Sequence, residues 1–355
     1  MASAPIATHG RHGERLLDGP ARVLALPGWL ALRPAVALRN LAYDRHWLPI
    51  HRLPAPVIGV GNLSLGGTGK TPVVAAVVAA LRDAGLQPAV LMRGYLGDGV
   101  ANDEARTLDC PVVCDPDRHA GGQRALADGA DCLVLDDGFQ HRRLHRDCDL
   151  VCIDATRPGI LPHDAVFPLG RLREPLSALR RATALVLTRS DQVPPQRLAA
   201  LTGRLARCGL PLLHCHHHAT GLAPLAGPGR SAPPDALAGE PVLLASGLGH
   251  PAGFEATARA LGMDVRGCER YPDHHAYTAA DARFLSARAH ALGATLVVTA
   301  KDAVKLAGLP LPGDTRILLV EAVFAPADAR RLAAICAAAV QRAPRPHCAR
   351  APESG

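Results

Sequence analysis

The sequence predicts an α/β fold, in which a doubly wound, mostly parallel sheet is followed by a second, smaller α/β portion. The first observation behind this prediction is a regular alternation of short apolar segments, typical of buried strands, with longer segments of helical periodicity. Such an alternation implies parallel strands covered by helices on both faces of the sheet. The second observation is the size of the chain, because 355 residues, 48% of them hydrophobic, suffice for two domains of ordinary size.

The alternation begins at residue 57 and continues almost to the end of the chain. In the first half, apolar runs predict strands at 57–61, 88–92, 131–135, 150–154 and 184–188. Helical periodicity predicts helices between these strands, at 71–84 and 120–129. After a stretch rich in proline, glycine and alanine, further strands are predicted near 242–245, 295–299 and 316–320.

Changes in composition predict how the chain is divided. Residues 1–21 and 342–355 are polar or rich in small residues and proline, and both are predicted to be disordered. The strand and helix pattern predicts a first domain over 49–220, a linker over 221–240 and the smaller α/β portion over 241–341.

Residues 22–48 mix apolar side chains with arginines and contain both tryptophans of the chain, Trp29 and Trp47. The longest run without a charge is about ten residues, whereas a helix that spans a bilayer needs about 20. Two interpretations remain open from the residues alone. The segment is either a helix that lies in a membrane interface, with its arginines near anionic headgroups, or a helix that packs on the protein's own core.

The chain carries a formal net charge of +7, which favours an anionic partner such as nucleic acid, anionic lipid or a phosphorylated substrate, without choosing among them. Only three of the 39 basic residues are lysines, namely Lys70, Lys301 and Lys305. A lysine kept against this strong bias toward arginine is a candidate for a specific role, because its ammonium group is compact. For Lys301 and Lys305, ordinary surface charge is an equal alternative.

Cysteine and histidine residues give a weaker signal. The ten cysteines are scattered and no secretory signal is apparent, so reduced thiols are expected. The tract at 214–218 (HCHHH) is interpreted as a polar loop that follows a strand, because adjacent side chains cannot all converge on one ion. A metal site is the alternative.

A glycine-rich loop after the first predicted strand has the setting of a nucleotide-binding P-loop. Its backbone N–H groups can surround phosphate oxygens, Lys70 can reach the β- and γ-phosphates, and the Thr71 hydroxyl can bind Mg²⁺. Ser64 replaces the usual first glycine. The residues that we assign to nucleotide binding are Ser64, Leu65, Gly66, Gly67, Thr68, Gly69, Lys70 and Thr71.

A second acidic element supports a P-loop NTPase-like fold. The predicted strand at 131–135 ends in Asp136 and Asp137, and ligands bind at this end of the strands in a doubly wound sheet. Either carboxylate could hold the Mg²⁺ of a bound nucleotide. The two elements together predict a P-loop protein with phosphotransfer chemistry and a bound Mg²⁺.

The chain contains a series of short motifs. They are GNLSLGGTGKTP at 61–72, RGY at 93–95, DE at 103–104, LDDGFQH at 135–141, LREP at 172–175, SGLGHP at 246–251, DHH at 273–275 and TAKDA at 299–303. In this order and spacing they resemble the tetraacyldisaccharide 4'-kinase family of lipid A biosynthesis. The resemblance covers roughly residues 22–340, and the DDGFQH string is its most discriminating part.

The resemblance implies a kinase that transfers the γ-phosphate of ATP to the 4'-hydroxyl of tetraacyldisaccharide 1-phosphate and forms lipid IVA. It also implies that residues 22–48 form a membrane-associating amphipathic helix at the cytoplasmic face of a bacterial inner membrane. The expected partners are therefore a glycolipid substrate and an anionic membrane surface. We expect a monomer that does not bind nucleic acid.

The resemblance also implies roles for single residues. Asp103 resembles the family's catalytic base, and Glu104 a residue in or beside the Mg²⁺ site, for which Thr71 and Asp136 are the other candidates. Asp137 and His274 resemble a catalytic pair near the γ-phosphate. The family usually has Gly-Asp-Glu-Pro where this chain has Asn-Asp-Glu-Ala at 102–105, so both acids are kept without the same turn. Residues implied to bind substrate are Arg93, Tyr95, Gln140, Arg173 and Glu174.

Two other classes of protein are alternatives to a kinase. A P-loop GTPase that switches partners should contain an Asn-Lys-x-Asp element, but the nearest candidates, TRSD at 188–191 and TAKD at 299–302, lack the asparagine. A protein that only binds membranes would not need a P-loop beside acidic residues.

Overall fold

An eleven-stranded sheet runs through the part of the chain that the computed structural model describes, residues 26–94, 108–156, 165–226, 230–273 and 275–343. The strands are β1 (Val57–Asn62), β2 (Pro88–Met92), β3 (Val112–Cys114), β4 (Cys132–Asp136), β5 (Cys148–Asp154), β6 (Ala184–Thr188), β7 (Leu212–Pro224), β8 (Pro241–Ser246), β9 (Asp264–Arg270), β10 (Thr295–Thr299) and β11 (Arg316–Phe324). Their spatial order is β3-β2-β4-β1-β5-β6-β7-β11-β10-β8-β9.

Eight α-helices lie in the described ranges. They are α1 (Leu26–Asp44), α2 (Lys70–Asp83), α3 (Arg118–Ala127), α4 (Pro195–Ala206), α5 (Pro251–Ala260), α6 (Ala279–Leu292), α7 (Ala300–Leu306) and α8 (Pro326–Arg342). Two short 3-10 turns, Leu176–Arg181 and Ser190–Gln192, flank β6. None of the helices in these ranges has the length and apolar character needed to cross a membrane.

The predicted α/β class is confirmed, because nearly all strand pairs are parallel and five strands of the first half are buried on both faces. Every residue of β1, β2, β4, β5 and β6 is buried. Continuous apolar strands of this kind are stable only under helices on both sides. β1 pairs with β4 on one side and β5 on the other, which places the loop after β1 at the centre of the carboxyl edge.

The two halves of the sheet are joined by the long strand β7, which pairs with β6 in parallel and with β11 in antiparallel orientation. The tract at 214–218 lies inside this strand, so its interpretation as a polar loop is wrong. Ladder pairing with β11 and alternate burial, with Cys215 and Ala219 inside, stabilise the strand despite its histidines. β7 also runs four residues into the predicted linker; the predicted domain limits stay a prediction.

The last helix returns to the first half of the molecule. Leu332, Cys336 and Ala339 of α8 belong to the same core cluster as Val73 and Val77 of α2. The core of the first half is therefore completed by the end of the chain. The segments predicted to be disordered, 1–21 and nearly all of 342–355, lie outside the described residues.

Candidate active site

A cavity of about 860 Å³ lies between the two halves at the carboxyl edge of the sheet. The first half contributes the loop between β1 and α2 and the end of β4. The second half contributes the loop after β8 and the beginning of α7. Ligands of doubly wound proteins bind at this edge, because the loops there are free of the helix layers.

The loop after β1 is held by hydrogen bonds from its own flanks. Asn62, the last residue of β1, donates from Nδ2 to the Ser64 carbonyl at 2.9 Å and to Thr68 Oγ1 at 3.0 Å. The Leu65 N–H donates to the Arg171 carbonyl at 2.7 Å. Gly69 precedes α2 with φ 74°, a conformation that glycine adopts without strain. This loop geometry agrees with the predicted P-loop.

Four predicted site residues, Lys70, Asp137, Gln140 and Arg173, meet at one point of the cavity. Lys70 Nζ lies 3.2 Å from Asp137 Oδ1, and Arg173 Nη1 lies 2.8 Å from Asp137 Oδ2. Gln140 Oε1 also accepts from Arg173, at 3.3 Å. Burial acts to raise the pKa of Asp137, but Lys70 and Arg173 outweigh it and hold this pKa below its ordinary value. The carboxylate is therefore ionised at neutral pH between two cations.

Asp136 and Arg118 form the floor of the cavity beside this cluster. Asp136, at the end of β4, is buried and accepts a hydrogen bond from the Asp137 N–H at 2.8 Å. Arg118 is also buried and donates to the Asp115 carbonyl at 2.9 Å. Burial lowers the pKa of Arg118, whereas Asp136 and Asp137 attract its positive charge.

Arg189 supports the P-loop from behind. It follows β6 with φ 53° and forms a buried ion pair with Asp154 at the end of β5. Its Nη1 also donates to the Gly67 carbonyl at 3.2 Å. Next to it, Thr188 Oγ1 donates to the Thr68 carbonyl at 2.8 Å. These contacts hold two carbonyl groups of the P-loop in place.

His217 of β7 packs against the last glycine of the P-loop. A Cβ atom added to Gly69 would lie 2.2 Å from His217 Cε1, so no larger residue fits there. Burial, together with the positive charge of Arg189, lowers the pKa of His217 to about 3. The ring is therefore neutral and couples the central strand β7 to the P-loop by contact.

The structure places three predicted residues outside the lining of the cavity, and one of them, Leu65, donates its N–H to the Arg171 carbonyl. Glu174 is buried against Arg181, at 2.9 Å, and accepts from Asn40 Nδ2 at 2.7 Å. It thereby attaches α1 to the core. Ser64 forms an isolated bridge with Leu172 at the start of the P-loop. Their assigned roles stay predictions.

Other predicted residues either line the cavity or cannot be placed. Arg93 and Gln140 line it. Tyr95, Asp103, Glu104 and His274 lie outside the described residues. Among the residues that are described, no group of three or more histidine, cysteine or acidic side chains is gathered as a metal site, the 214–218 tract included.

Several residues around the cavity were not predicted. Asn62 stands directly after a predicted strand, and a polar residue at that position is a usable signal. Lys301 could be singled out because it is one of only three lysines among 39 basic residues. For Arg118, Arg189 and His217 no signal exists, because arginine is common in this chain and their positions depend on the tertiary fold.

Known proteins resemble this chain over nearly its whole length. The profile of the family described as Tetraacyldisaccharide-1-P 4'-kinase matches residues 21–341. A tetraacyldisaccharide 4'-kinase from Anaeromyxobacter sp. (strain K) is 41% identical over 353 residues, 91% of this chain and 92% of that protein. The corresponding kinase from Syntrophus aciditrophicus (strain SB) is 38% identical over 328 residues, 83% of this chain and 87% of that protein.

A solved structure is similar as well. The crystal structure of LpxK from Aquifex aeolicus in complex with ATP superposes with a TM-score of 0.69 at 28% identity. The similarity covers 90% of this chain and 99% of the Aquifex chain. The overall fold is thus shared with an experimentally determined protein.

Proposed function

The chain belongs to the tetraacyldisaccharide-1-P 4'-kinase family, and we propose that it transfers the γ-phosphate of ATP to the 4'-hydroxyl of tetraacyldisaccharide 1-phosphate. The product is lipid IVA, an intermediate of lipid A biosynthesis. Beyond family membership, one observation supports this function most. Lys70 of the P-loop, Asp137 at the end of β4, and Arg173 converge in a cavity large enough for a nucleotide and a sugar.

The convergence of cations explains how the site would stabilise the transferred phosphoryl group. The P-loop N–H groups and Lys70 bind the β- and γ-phosphates, and Arg173 lies where negative charge spreads over the γ-phosphate oxygens. Asp137 holds both cations in position before the nucleotide arrives. Catalysis of phosphoryl transfer depends mainly on such positioning and charge stabilisation.

Thr71, Asp136 and Glu104 are the residues that would hold Mg²⁺. Thr71 and Asp136 line the cavity and offer a hydroxyl and a carboxylate, and these oxygen donors suit this cation. When bound, Mg²⁺ would neutralise charge on the β- and γ-phosphates. The buried position of Asp136 keeps its carboxylate from turning away from the site.

The acceptor hydroxyl requires a base. We assign this role to Asp103, with Asp137 and His274 as a pair near the γ-phosphate, because a carboxylate within hydrogen-bond reach assists deprotonation of a sugar hydroxyl. Arg93, Tyr95, Gln140, Arg173 and Glu174 remain the residues proposed for substrate binding; Arg93, Gln140 and Arg173 line the cavity.

The test of the function is transfer of labelled γ-phosphate from ATP to tetraacyldisaccharide 1-phosphate in detergent, with and without Mg²⁺. We expect transfer by the unmodified protein and none by Lys70→Ala. Asp103→Ala should lower turnover about 100-fold or more while ATP binding is retained. Absence of transfer by the unmodified protein with Mg²⁺ present would exclude the proposed reaction.

We further propose that α1 and the residues after it bind an anionic membrane, at the cytoplasmic face of the inner membrane. Leu30 and Leu38 lie on one side of α1 and are 59% and 62% exposed, and Trp47 is 64% exposed. Arg33 lies over the Trp29 ring at 5.0 Å, a position from which a guanidinium can reach headgroups. Apolar side chains left in water in this way are typical of interfacial helices.

The position of α1 relative to the cavity supports its role in delivering a glycolipid. Arg39 of α1 lines the cavity and donates from Nη2 to the Gln140 carbonyl at 2.7 Å. A lipid surface against α1 would therefore lie beside the opening of the cavity. A monomer suffices for this arrangement.

Liposome sedimentation tests the membrane proposal. The triple variant Leu30→Ser, Leu38→Ser, Trp47→Ser should lose most of its binding to vesicles that contain anionic lipid. The matched control is Phe284→Ser, which removes a side chain that is 43% exposed on α6. Equal binding by both variants would show that α1 is not the membrane contact.

A further inference from the structure

Lys301, at the beginning of α7, faces the cavity from the second half of the molecule. Its side chain is only 13% exposed, and its Nζ donates to Asp273 Oδ1 at 2.9 Å. Both residues line the cavity that also contains Lys70. Two of the three lysines in a chain with 39 basic residues therefore lie around one cavity.

The backbone that carries Lys301 is fixed by a buried carboxylate next to it. Asp302 is fully buried and accepts from the Gly247 N–H at 3.0 Å and from Thr299 Oγ1 at 2.6 Å. These bonds tie the beginning of α7 to the loop after β8. The backbone at Lys301 is thus held in place by hydrogen bonds and does not belong to a loose surface turn.

The loop after β8, to which the beginning of α7 is bonded, packs against the P-loop. A Cβ atom added to Gly249 would lie 2.8 Å from the Gly67 nitrogen and 3.0 Å from Asp273 Oδ2. The Asp273 carboxylate, which holds Lys301, is therefore separated from the phosphate-binding backbone by a single glycine. Asp273 and Gly67 both line the cavity.

We propose that Lys301 is a second cationic contact for the phosphates of the nucleotide, supplied by the second half of the molecule and positioned by Asp273. The inference rests on the proposed use of ATP by the P-loop. A compact ammonium can move from a carboxylate to a phosphate oxygen without the planar geometry that arginine requires. Closeness to Gly67 favours the nucleotide over the phosphate of the glycolipid as its ligand.

Titration calorimetry with ATP tests this assignment on Lys301→Ala and Lys301→Gln. We expect ATP binding to weaken roughly tenfold to hundredfold in both variants, because contacts between charged groups are the strong ones. The dependence of ATP affinity on salt concentration should become shallower, which a merely structural change would not cause. The KM for the glycolipid should change less than the affinity for ATP.

The matched control is Arg266→Ala, which removes an exposed cation that pairs with Asp264 at 2.6 Å in the same half of the molecule. It should bind ATP as the unmodified protein does. Unchanged ATP affinity in a folded Lys301 variant overturns the proposal, and so does a selective rise in the glycolipid KM. If the unmodified protein itself fails to bind ATP, the proposed function is wrong.

Discussion

Asp137 contacts both Lys70 and Arg173 in the part of the site that the first half of the molecule provides. It follows β4 in the left-handed region, with φ 52°, a conformation that aspartate tolerates better than most residues. This turn lets its carboxylate reach both Lys70 and Arg173 rather than continue along the strand. The side chain therefore acts as a holder for two phosphate-binding cations.

Replacement of Asp137 by asparagine tests this role. We expect Asp137→Asn to lower kcat roughly 100-fold to 1000-fold, because the two cations lose their shared anchor, while ATP affinity changes little. Steady-state kinetics and calorimetry measure the two effects. Asp109→Asn is the control, since Asp109 pairs with Arg82 in an exposed ion pair; an equal loss in both variants would contradict the role.

The depressed pKa of Asp137 predicts a pH effect with a defined sign. Arg173→Gln removes one of the cations that favour the ionised form, so the pKa of Asp137 should rise. The acid limb of the kcat profile should then move to higher pH. An unchanged acid limb would show that another group controls it.

The same shift affects stability. The pKa of Asp137 is lower in the folded state than its ordinary value of 3.8, so the ionised carboxylate stabilises the fold at pH values above 3.8. This stabilisation is lost as the pH falls through the pKa of the folded state.

The P-loop and the acidic strand end could be predicted because their chemistry depends on residues close in sequence. Lys70 and Thr71 belong to one contiguous loop, and Asp137 ends an apolar run. Arg189 and His217 approach the loop from distant strands, and only the strand order places them there. A single sequence without pairing information contains no signal for such contacts.

At the scale of elements, α1 is attached to the core by polar bonds rather than by a continuous apolar face. Asn40 Nδ2 donates to Glu174 Oε2, and Arg142 donates to the Asn40 carbonyl at 2.9 Å and to Asp44 Oδ1 at 2.7 Å. Burial acts to raise the pKa of Glu174, but hydrogen bonds from Arg181 and Asn40 hold it below its ordinary value. Trp29 and Tyr43 of α1 pack on the protein, whereas exposed leucines such as Leu30 and Leu38 are left available for a membrane.

Loss of the Glu174 charge should loosen this attachment. We expect Glu174→Gln to lower the free energy of unfolding by about 3 kcal/mol, because breaking a buried ion pair leaves Arg181 without its counter-charge. Urea denaturation measures the change. In Asp264→Asn, which breaks an exposed pair, the loss should stay below about 1 kcal/mol. Similar losses in the two variants would argue against anchoring by Glu174.

Strands with continuous apolar runs, such as β2 and β6, were predicted with the bounds that the structure has. β7 was not, because four of its residues between Leu213 and Ala219 are histidines and only the partner strand β11 explains its length. Pattern alone identifies strands whose burial is complete. Strands that depend on pairing need the tertiary structure.

At the scale of the molecule, the first half is not a self-contained unit. α8 covers the face of the sheet on which α2 lies, and β11 pairs with β7 along nine residues of each strand. The helix α8 is therefore part of the core that surrounds the P-loop helix. The cavity between the halves rests on this shared core.

Excision of the first half tests that dependence. We expect a chain of residues 49–220 to lack cooperative unfolding, whereas residues 49–343, which keep β11 and α8, should unfold in one transition. Circular dichroism during urea denaturation distinguishes the two. Cooperative unfolding of 49–220 would show that the first half is stable without α8.

A point change gives a milder form of this test. In the complete chain, Leu332→Ala should lower the free energy of unfolding by about 2–5 kcal/mol, because Leu332 of α8 is buried in the core. Val323→Ala, at a side chain that is 41% exposed, should cost much less. Equal costs would mean that α8 contributes little to the core.

The return of α8 to α2 also orders events during synthesis on the ribosome. Val73 and Val77 leave the ribosome roughly 250 residues before Cys336, which at a translation rate of about 5–20 residues per second is a delay of roughly 10–50 s. During that interval one face of the nascent sheet lacks its covering helix. We expect nascent chains of this kinase to be held by chaperones until the last residues emerge.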